Sequence, residues 1–160
     1  MLYEGVSPLQ KMQSVTAMLL LAGAGATAAQ AIQAAVALGA IGFVAWLWRR
    51  DAAFEYKAAG LGLAALLASP YVYHYDLTLL GVAMLWYGRR ARAIGWQRWD
   101  RQAIALAWLT PMLAFALGST ASLVVTPALL LAFVALVIGR VRADEGATMH
   151  SRAPALPAAA

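Results

Sequence analysis

The sequence predicts an all-α integral membrane bundle of about five transmembrane helices, preceded by an N-terminal interfacial helix. The first observation is composition: the 160 residues are 63% hydrophobic and only 12% charged, whereas soluble domains carry about 25% charged residues. The second is that the apolar residues fall into runs of near-spanning length. The third is that the arginines fall in short clusters between those runs, as membrane orientation requires.

The same composition excludes several classes of protein. The chain has no cysteine, which rules out disulfides and thiolate metal sites. Its net charge of +5 invites a nucleic-acid interpretation, but the arginines form no basic stripe interleaved with aromatic residues. No metal-ligand spacing, glycine-rich phosphate loop or nucleophile triad is visible. We therefore expect a lipid bilayer as partner and no nucleic acid.

A spanning helix needs roughly 20 apolar residues, which sets the expected elements. The first apolar run ends at Arg49 and Arg50, and the second stops before the Ser69-Pro70 pair. The third ends at the arginines that begin with Arg89, and the fifth ends at Arg140. Five spans are therefore expected at about residues 27–48, 53–68, 72–87, 101–117 and 121–139. The five-span domain is then 27–142, followed by an Ala- and Pro-rich tail, 143–160, that we expect to be disordered and cytoplasmic.

Threading five spans alternately across a membrane separates the charges. All but one of the 12 lysines and arginines fall on one side, and Lys11 alone falls on the other. The positive-inside rule then places the arginine clusters in the cytoplasm. The external parts would be residues 1–26, the loop at 69–76 and the turn at 118–120.

The external segment 1–26 allows three interpretations. Residues 9–21 form an interfacial helix, because Met12, Val15 and Leu19 then share one face. Alternatively, residues 11–29 are a cleaved export signal with a lysine, an apolar run and small residues. Third, the chain is the C-terminal part of a longer protein. We favour the first and third together.

Small residues four apart recur in the first two spans and predict close packing of helices. The pairs are Ala35/Gly39, Ala58/Gly62, Gly60/Ala64 and Ala64/Ala68. Simple alanine richness would produce the same pairs.

The loop before the third span carries the candidate site. Residues 77–87 alone, about 16 Å of helix, are too short to cross roughly 30 Å of hydrocarbon. The third helix is therefore expected to start near Val72, which puts His74 and Asp76 near the outer interface. Ionisable groups at that depth mark functional sites by default.

Two structural explanations compete with a functional one. The tyrosines Tyr71, Tyr73 and Tyr75 would also suit an aromatic belt, and Asp76 would also suit a helix cap. On a helix Asp76 shares a face with Tyr73, while His74 points away; in an extended loop His74 and Asp76 point the same way.

A family resemblance rests on this loop. Residues 69–77 read SPYVYHYDL and precede an apolar span, residues 11–15 read KMQSV, and the first span ends in AWLWRR. This order resembles the C-terminal region of bacterial glycosyltransferase family 87, which is similar to polyprenyl-phosphate-mannose-dependent mannosyltransferases of the GT-C class. One departure is His74, where many members have an acid.

The resemblance implies a partial GT-C fold and a specific function. The chain would be the C-terminal part of an enzyme that moves mannose or another hexose from a polyprenyl-phosphate donor to a lipid or glycan acceptor. The reaction would take place on the outer face of the bacterial inner membrane. Asp76, His74, Tyr75, Tyr73 and Tyr71 would line the lipid-donor pocket. No cofactor and no metal site are expected in this chain; a divalent cation in the intact enzyme has no support in these residues.

The family's usual catalytic acid lies in the first external loop of the N-terminal half. The external acids here are Glu4 and Asp76, and neither follows a first span. The catalytic residue is therefore unknown, and the chain is expected to need a missing N-terminal half. The alternative is a non-catalytic scaffold or subunit that packs against a larger multispan partner. A transporter fragment is disfavoured, because Pro111 is the one candidate break in a span and no charge accompanies it.

Overall fold

The computed structural model describes residues 12–116 and 118–152, with side chains described for 12–112 and 125–146. Within these ranges the chain forms helices and no strand, which confirms the all-α class. The α-helices are α1 Val15–Leu21, α2 Ala26–Arg49, α3 Phe54–Ala68, α4 Thr78–Ile94, α5 Asp100–Ala116 and α6 Gly118–Arg152. A short 3₁₀ helix, His74–Leu77, leads directly into α4.

Two helices are long and apolar enough to cross a membrane: α2, and the part of α6 from Val125 to Gly146. Helices α3, α4 and α5 have 15, 17 and 17 residues, about 23 to 26 Å each. They correspond in order to the second, third and fourth expected spans. The composition therefore supports an association with membranes, and the count of five spans remains a prediction.

Three boundaries differ from expectation. Helix α4 begins at Thr78 rather than near Val72, because residues 74–77 take the tighter 3₁₀ form. Helix α1 begins at Val15, because Ser14 is its N-cap and the Ser14 hydroxyl accepts a hydrogen bond from the Ala17 N–H. Residues 9–11 of the expected interfacial helix lie outside the described part of the chain. Helix α6 runs on to Arg152, so residues 143–152, expected to be disordered, are helical. Ion pairs of Asp144 and Glu145 with other helices hold that extension.

The core lies where α3 packs between α2, α4 and α6. Gly60 permits the closest approach, because a Cβ atom there would lie 2.6 Å from Leu47 Cδ2 on α2. On the other face of α3, a Cβ at Gly62 would meet the Ala83 Cβ of α4 at 3.5 Å. Gly39 faces outward with nothing within 4 Å. Within the chain, Gly60 and Gly62 of α3 therefore lie in helix interfaces, and Gly39 does not.

Candidate functional site

The two ends of the bundle differ in chemistry. At one end, Arg50 pairs with Glu145 at 2.8 Å and Arg90 pairs with Asp144 at 3.1 Å. These ion pairs connect the C-terminal ends of α2 and α4 to α6. Helix α3 starts at this end and finishes at Ala68, so the loop that follows it lies at the opposite end of the bundle.

That loop is held in place by the segment before α1. The Gln13 N–H donates to the Val72 carbonyl at 2.5 Å, and Met12 forms an isolated antiparallel bridge with Tyr73. From α2, the buried Gln33 amide donates to the Leu67 carbonyl at 3.0 Å. These contacts join the loop and the end of α3 to the segment before α1 and to α2, and such support positions side chains of a site.

Gln13 joins three parts of the chain and is only 1% exposed. Its Oε1 accepts the Thr126 hydroxyl of α6 at 2.8 Å, and its Nε2 lies 3.4 Å from His74 Nε2. Gln13 therefore links the segment before α1 to α6 and to the loop that carries His74. The sequence analysis did not single out Gln13. Its signal was a polar pair, Gln13-Ser14, between the apolar Met12 and Val15.

Asp76 closes the turn that begins the 3₁₀ helix. Its Oδ2 accepts the Tyr73 N–H at 2.8 Å, and the Asp76 N–H donates to the Tyr73 carbonyl at 3.0 Å. Asp76 thus makes a capping-box contact at the start of the 3₁₀ helix, rather than the expected cap of the third span itself. Within the described residues its Oδ1 makes no hydrogen bond, so one carboxylate oxygen remains for a ligand.

The tyrosines and Asp76 line one pocket of about 450 Å³. Tyr73 and Tyr75 stack in it with ring centroids 5.5 Å apart and an interplanar angle of 10°. Tyr71 and Tyr75 are two-thirds exposed, and Leu66 and Leu79 supply apolar walls. His74 does not line the pocket, because it turns toward Gln13. The structure therefore brings four of the five predicted site residues together and separates the fifth.

This pocket offers aromatic faces, phenol hydroxyls and one carboxylate. Such a set can stack on an apolar or sugar ring and accept hydroxyl hydrogen bonds. Among the described residues, no group of three or more His, Asp or Glu side chains is arranged to hold a metal ion.

A second polar cluster, which the sequence analysis missed, lies at the arginine-rich end. Asp100 and Arg140 are 0% and 3% exposed and form a direct ion pair between α5 and α6. Asp100 also accepts the Tyr87 hydroxyl at 2.6 Å and the Gln97 N–H at 2.7 Å. Arg140 donates to the Gly95 carbonyl at 2.7 Å. Through these bonds the cluster fastens the 95–99 turn to α6.

No protein-family model matches this chain, and no match was found among curated proteins or solved structures.

Proposed function

We propose that the chain is the C-terminal part of a membrane glycosyltransferase and that its tyrosine-lined pocket holds a polyprenyl-phosphate sugar. The enzyme would move mannose or another hexose to a lipid or glycan acceptor on the outer face of the bacterial inner membrane. The observation that carries the proposal is the convergence of Tyr71, Tyr73, Tyr75 and Asp76 on one pocket. It lies at the end of the bundle opposite the paired arginines.

Five spans are part of this proposal. The 3₁₀ helix continues into α4, so residues 74–94 form 21 helical residues in sequence. Helices α3 and α5 are shorter than about 30 Å of hydrocarbon, and a bilayer accommodates such helices by local thinning or by flanking residues that reach the interface. Trp46, Trp86 and Trp96 lie near the arginine end, as expected of a membrane interface.

The reaction needs a base, and we assign that base to another part of the enzyme rather than to Asp76. In glycosyl transfer, a base takes the proton of the acceptor hydroxyl, whose oxygen bonds to the anomeric carbon while the bond to phosphate breaks. Because Asp76 Oδ2 accepts the Tyr73 N–H, the carboxylate is held in one orientation. Its Oδ1 would then accept a hydrogen bond from a hydroxyl of the donor sugar. The exposed rings of Tyr71 and Tyr75 would stack on the sugar or the first isoprene unit. The chain would thus contribute donor binding, and the catalytic base would come from the missing N-terminal half.

Donor binding tests this role without requiring turnover. We expect Asp76→Asn to weaken binding of polyprenyl-phosphate mannose about tenfold, because a hydrogen bond to a charged group contributes about 1.5–3 kcal/mol. Folding should survive, since the asparagine oxygen can still accept the Tyr73 N–H. The measurement is donor titration of the detergent-solubilised chain by native mass spectrometry. The control is Asp51→Asn, which removes the same charge from an exposed residue just after the C-terminal end of α2. Unchanged donor affinity in Asp76→Asn would remove Asp76 from the site.

The orientation can be checked with single cysteines, because the chain contains none of its own. We expect a membrane-impermeant maleimide to label Tyr71→Cys in intact spheroplasts. Arg98→Cys should react only after the membrane is permeabilised. Both positions are exposed, so accessibility depends on the membrane side alone. Labelling of both from one side would contradict the five-span arrangement.

A second candidate function is a scaffold that packs against a multispan partner. The observation that favours it is the outward face of α2, where Ala35 and Gly39 are exposed four residues apart. Such a pair lets another helix approach closely in a membrane. Two results together would favour this function. A defined multispan partner would co-purify with the native chain but not with Gly39→Leu, and the native chain would not bind the sugar donor.

A further inference from the structure

A groove of about 730 Å³ lies between α4 and the start of α5, at the arginine-rich end of the bundle. Leu85, Trp86 and Ile104 give it apolar walls, and Trp96 of the connecting turn closes one side. Gly88 of α4 also lines the groove, and a Cβ atom at this position would be in van der Waals contact with Ile104 Cδ1, at 3.6 Å. The groove is therefore mostly apolar and open at the surface.

One end of the groove is strongly cationic. Arg89 and Arg92 line it, and Arg101 lies over the Trp96 ring at 5.6 Å. Arg89 lies over the Trp86 ring at the same distance, so both tryptophans carry a guanidinium at the groove's edge. Among the described residues, Glu55 is the one carboxylate that pairs with these arginines, 3.7 Å from Arg89, and the Arg89 side chain remains 70% exposed. Arg92 makes no ion pair within the described residues.

An apolar groove that ends in guanidinium groups is complementary to a lipid chain attached to an anionic phosphate. Guanidinium groups bind phosphate oxygens in bidentate geometry. Anionic lipids are concentrated in the cytoplasmic leaflet, and basic pockets between spanning helices on that side bind their head groups. With the arginine-rich end at the membrane interface, the tryptophans would lie where a phospholipid changes from apolar chain to polar head group.

We propose that this groove is a binding site for an anionic phospholipid of the cytoplasmic leaflet. Its phosphate would lie between Arg89 and Arg92, and one acyl chain would lie along Leu85 and Ile104. This lipid is distinct from the sugar donor, which would bind at the other end of the bundle. The site depends on membrane insertion and does not depend on glycosyl transfer.

The test compares lipids retained by the purified full chain. Phosphatidylglycerol and phosphatidylcholine are titrated into the detergent-solubilised protein, and bound lipid is counted by native mass spectrometry. We expect phosphatidylglycerol to bind more tightly, and Arg89→Gln/Arg92→Gln to weaken it about thirtyfold, since each arginine near an anionic lipid surface contributes about fivefold. The matched control is Arg49→Gln/Arg142→Gln, which removes the same charge from exposed positions that do not line the groove.

A steric variant separates groove binding from general charge attraction. Gly88→Leu has room for its Cβ, and the rest of its side chain would fill the groove. It should reduce phosphatidylglycerol retention with every arginine intact and leave the binding of polyprenyl-phosphate mannose unchanged. Three results would overturn the proposal: equal retention of phosphatidylcholine, equal loss in the control pair, or full displacement of the lipid by millimolar inorganic phosphate.

Discussion

Arg140→Met is expected to destabilise the fold by about 3–5 kcal/mol, the usual cost of removing one partner from a buried ion pair. Asp100 would remain fully buried with a negative charge, next to the Tyr87 hydroxyl that donates to it. The Gly95 carbonyl would lose its donor as well. The measurement is the midpoint of denaturant unfolding in detergent, followed by tryptophan fluorescence.

The control for this prediction is Arg142→Met, which removes the same charge two residues further along α6 from an exposed position. It should change the stability by less than about 0.5 kcal/mol. The double variant Arg140→Met/Asp100→Leu should recover much of the loss, because no unpaired charge remains buried. If Arg140→Met were as stable as Arg142→Met, the pair would not hold the 95–99 turn.

Gly60→Leu is expected to separate α2 from α3 and to cost about 3 kcal/mol, at the upper end for an overpacked core. Even a methyl group at this position would lie 2.6 Å from Leu47 Cδ2 and 3.1 Å from Phe43 Cε1. Leu47 is fully buried, so the larger side chain has no free space to enter. The same unfolding midpoint measures the effect.

Gly39→Leu is the matched control, because that glycine on α2 has nothing within 4 Å. It should be neutral or slightly stabilising, since leucine is the better helix former. Leu47→Ala should cost less in the Gly60→Leu background than in the native chain, a coupling that a double-mutant cycle detects. Additive effects would mean that Gly60 and Leu47 do not meet.

Much of the fold was predictable because it depends on local properties. Apolar runs bounded by arginines placed α2 to α6 in the right order, and Ser69-Pro70 marked the end of α3. The start of α4 was mispredicted because a length argument required helix from Val72. The Asp76 side chain instead tightens residues 74–77 into a 3₁₀ helix.

The candidate site was predictable in composition and only partly in arrangement. Tyrosines and an acid near a proposed membrane interface identify the loop at 69–77 from sequence alone. That His74 turns away from Asp76 depends on Gln13, 61 residues distant along the chain. No periodicity within the loop encodes that contact, since it exists only after the N-terminal segment packs against the loop.

The sequence by itself determined that the chain is all-helical and strongly apolar. Both properties depend on the hydropathy and the helix-breaking residues of short stretches of neighbouring residues. The tertiary structure alone decided which polar groups meet. Gln13 with Thr126, Arg90 with Asp144 and Arg140 with Asp100 are 113, 54 and 40 residues apart. Burying a polar group without a hydrogen bond is costly, and the packing of the helices determines which partners are within reach.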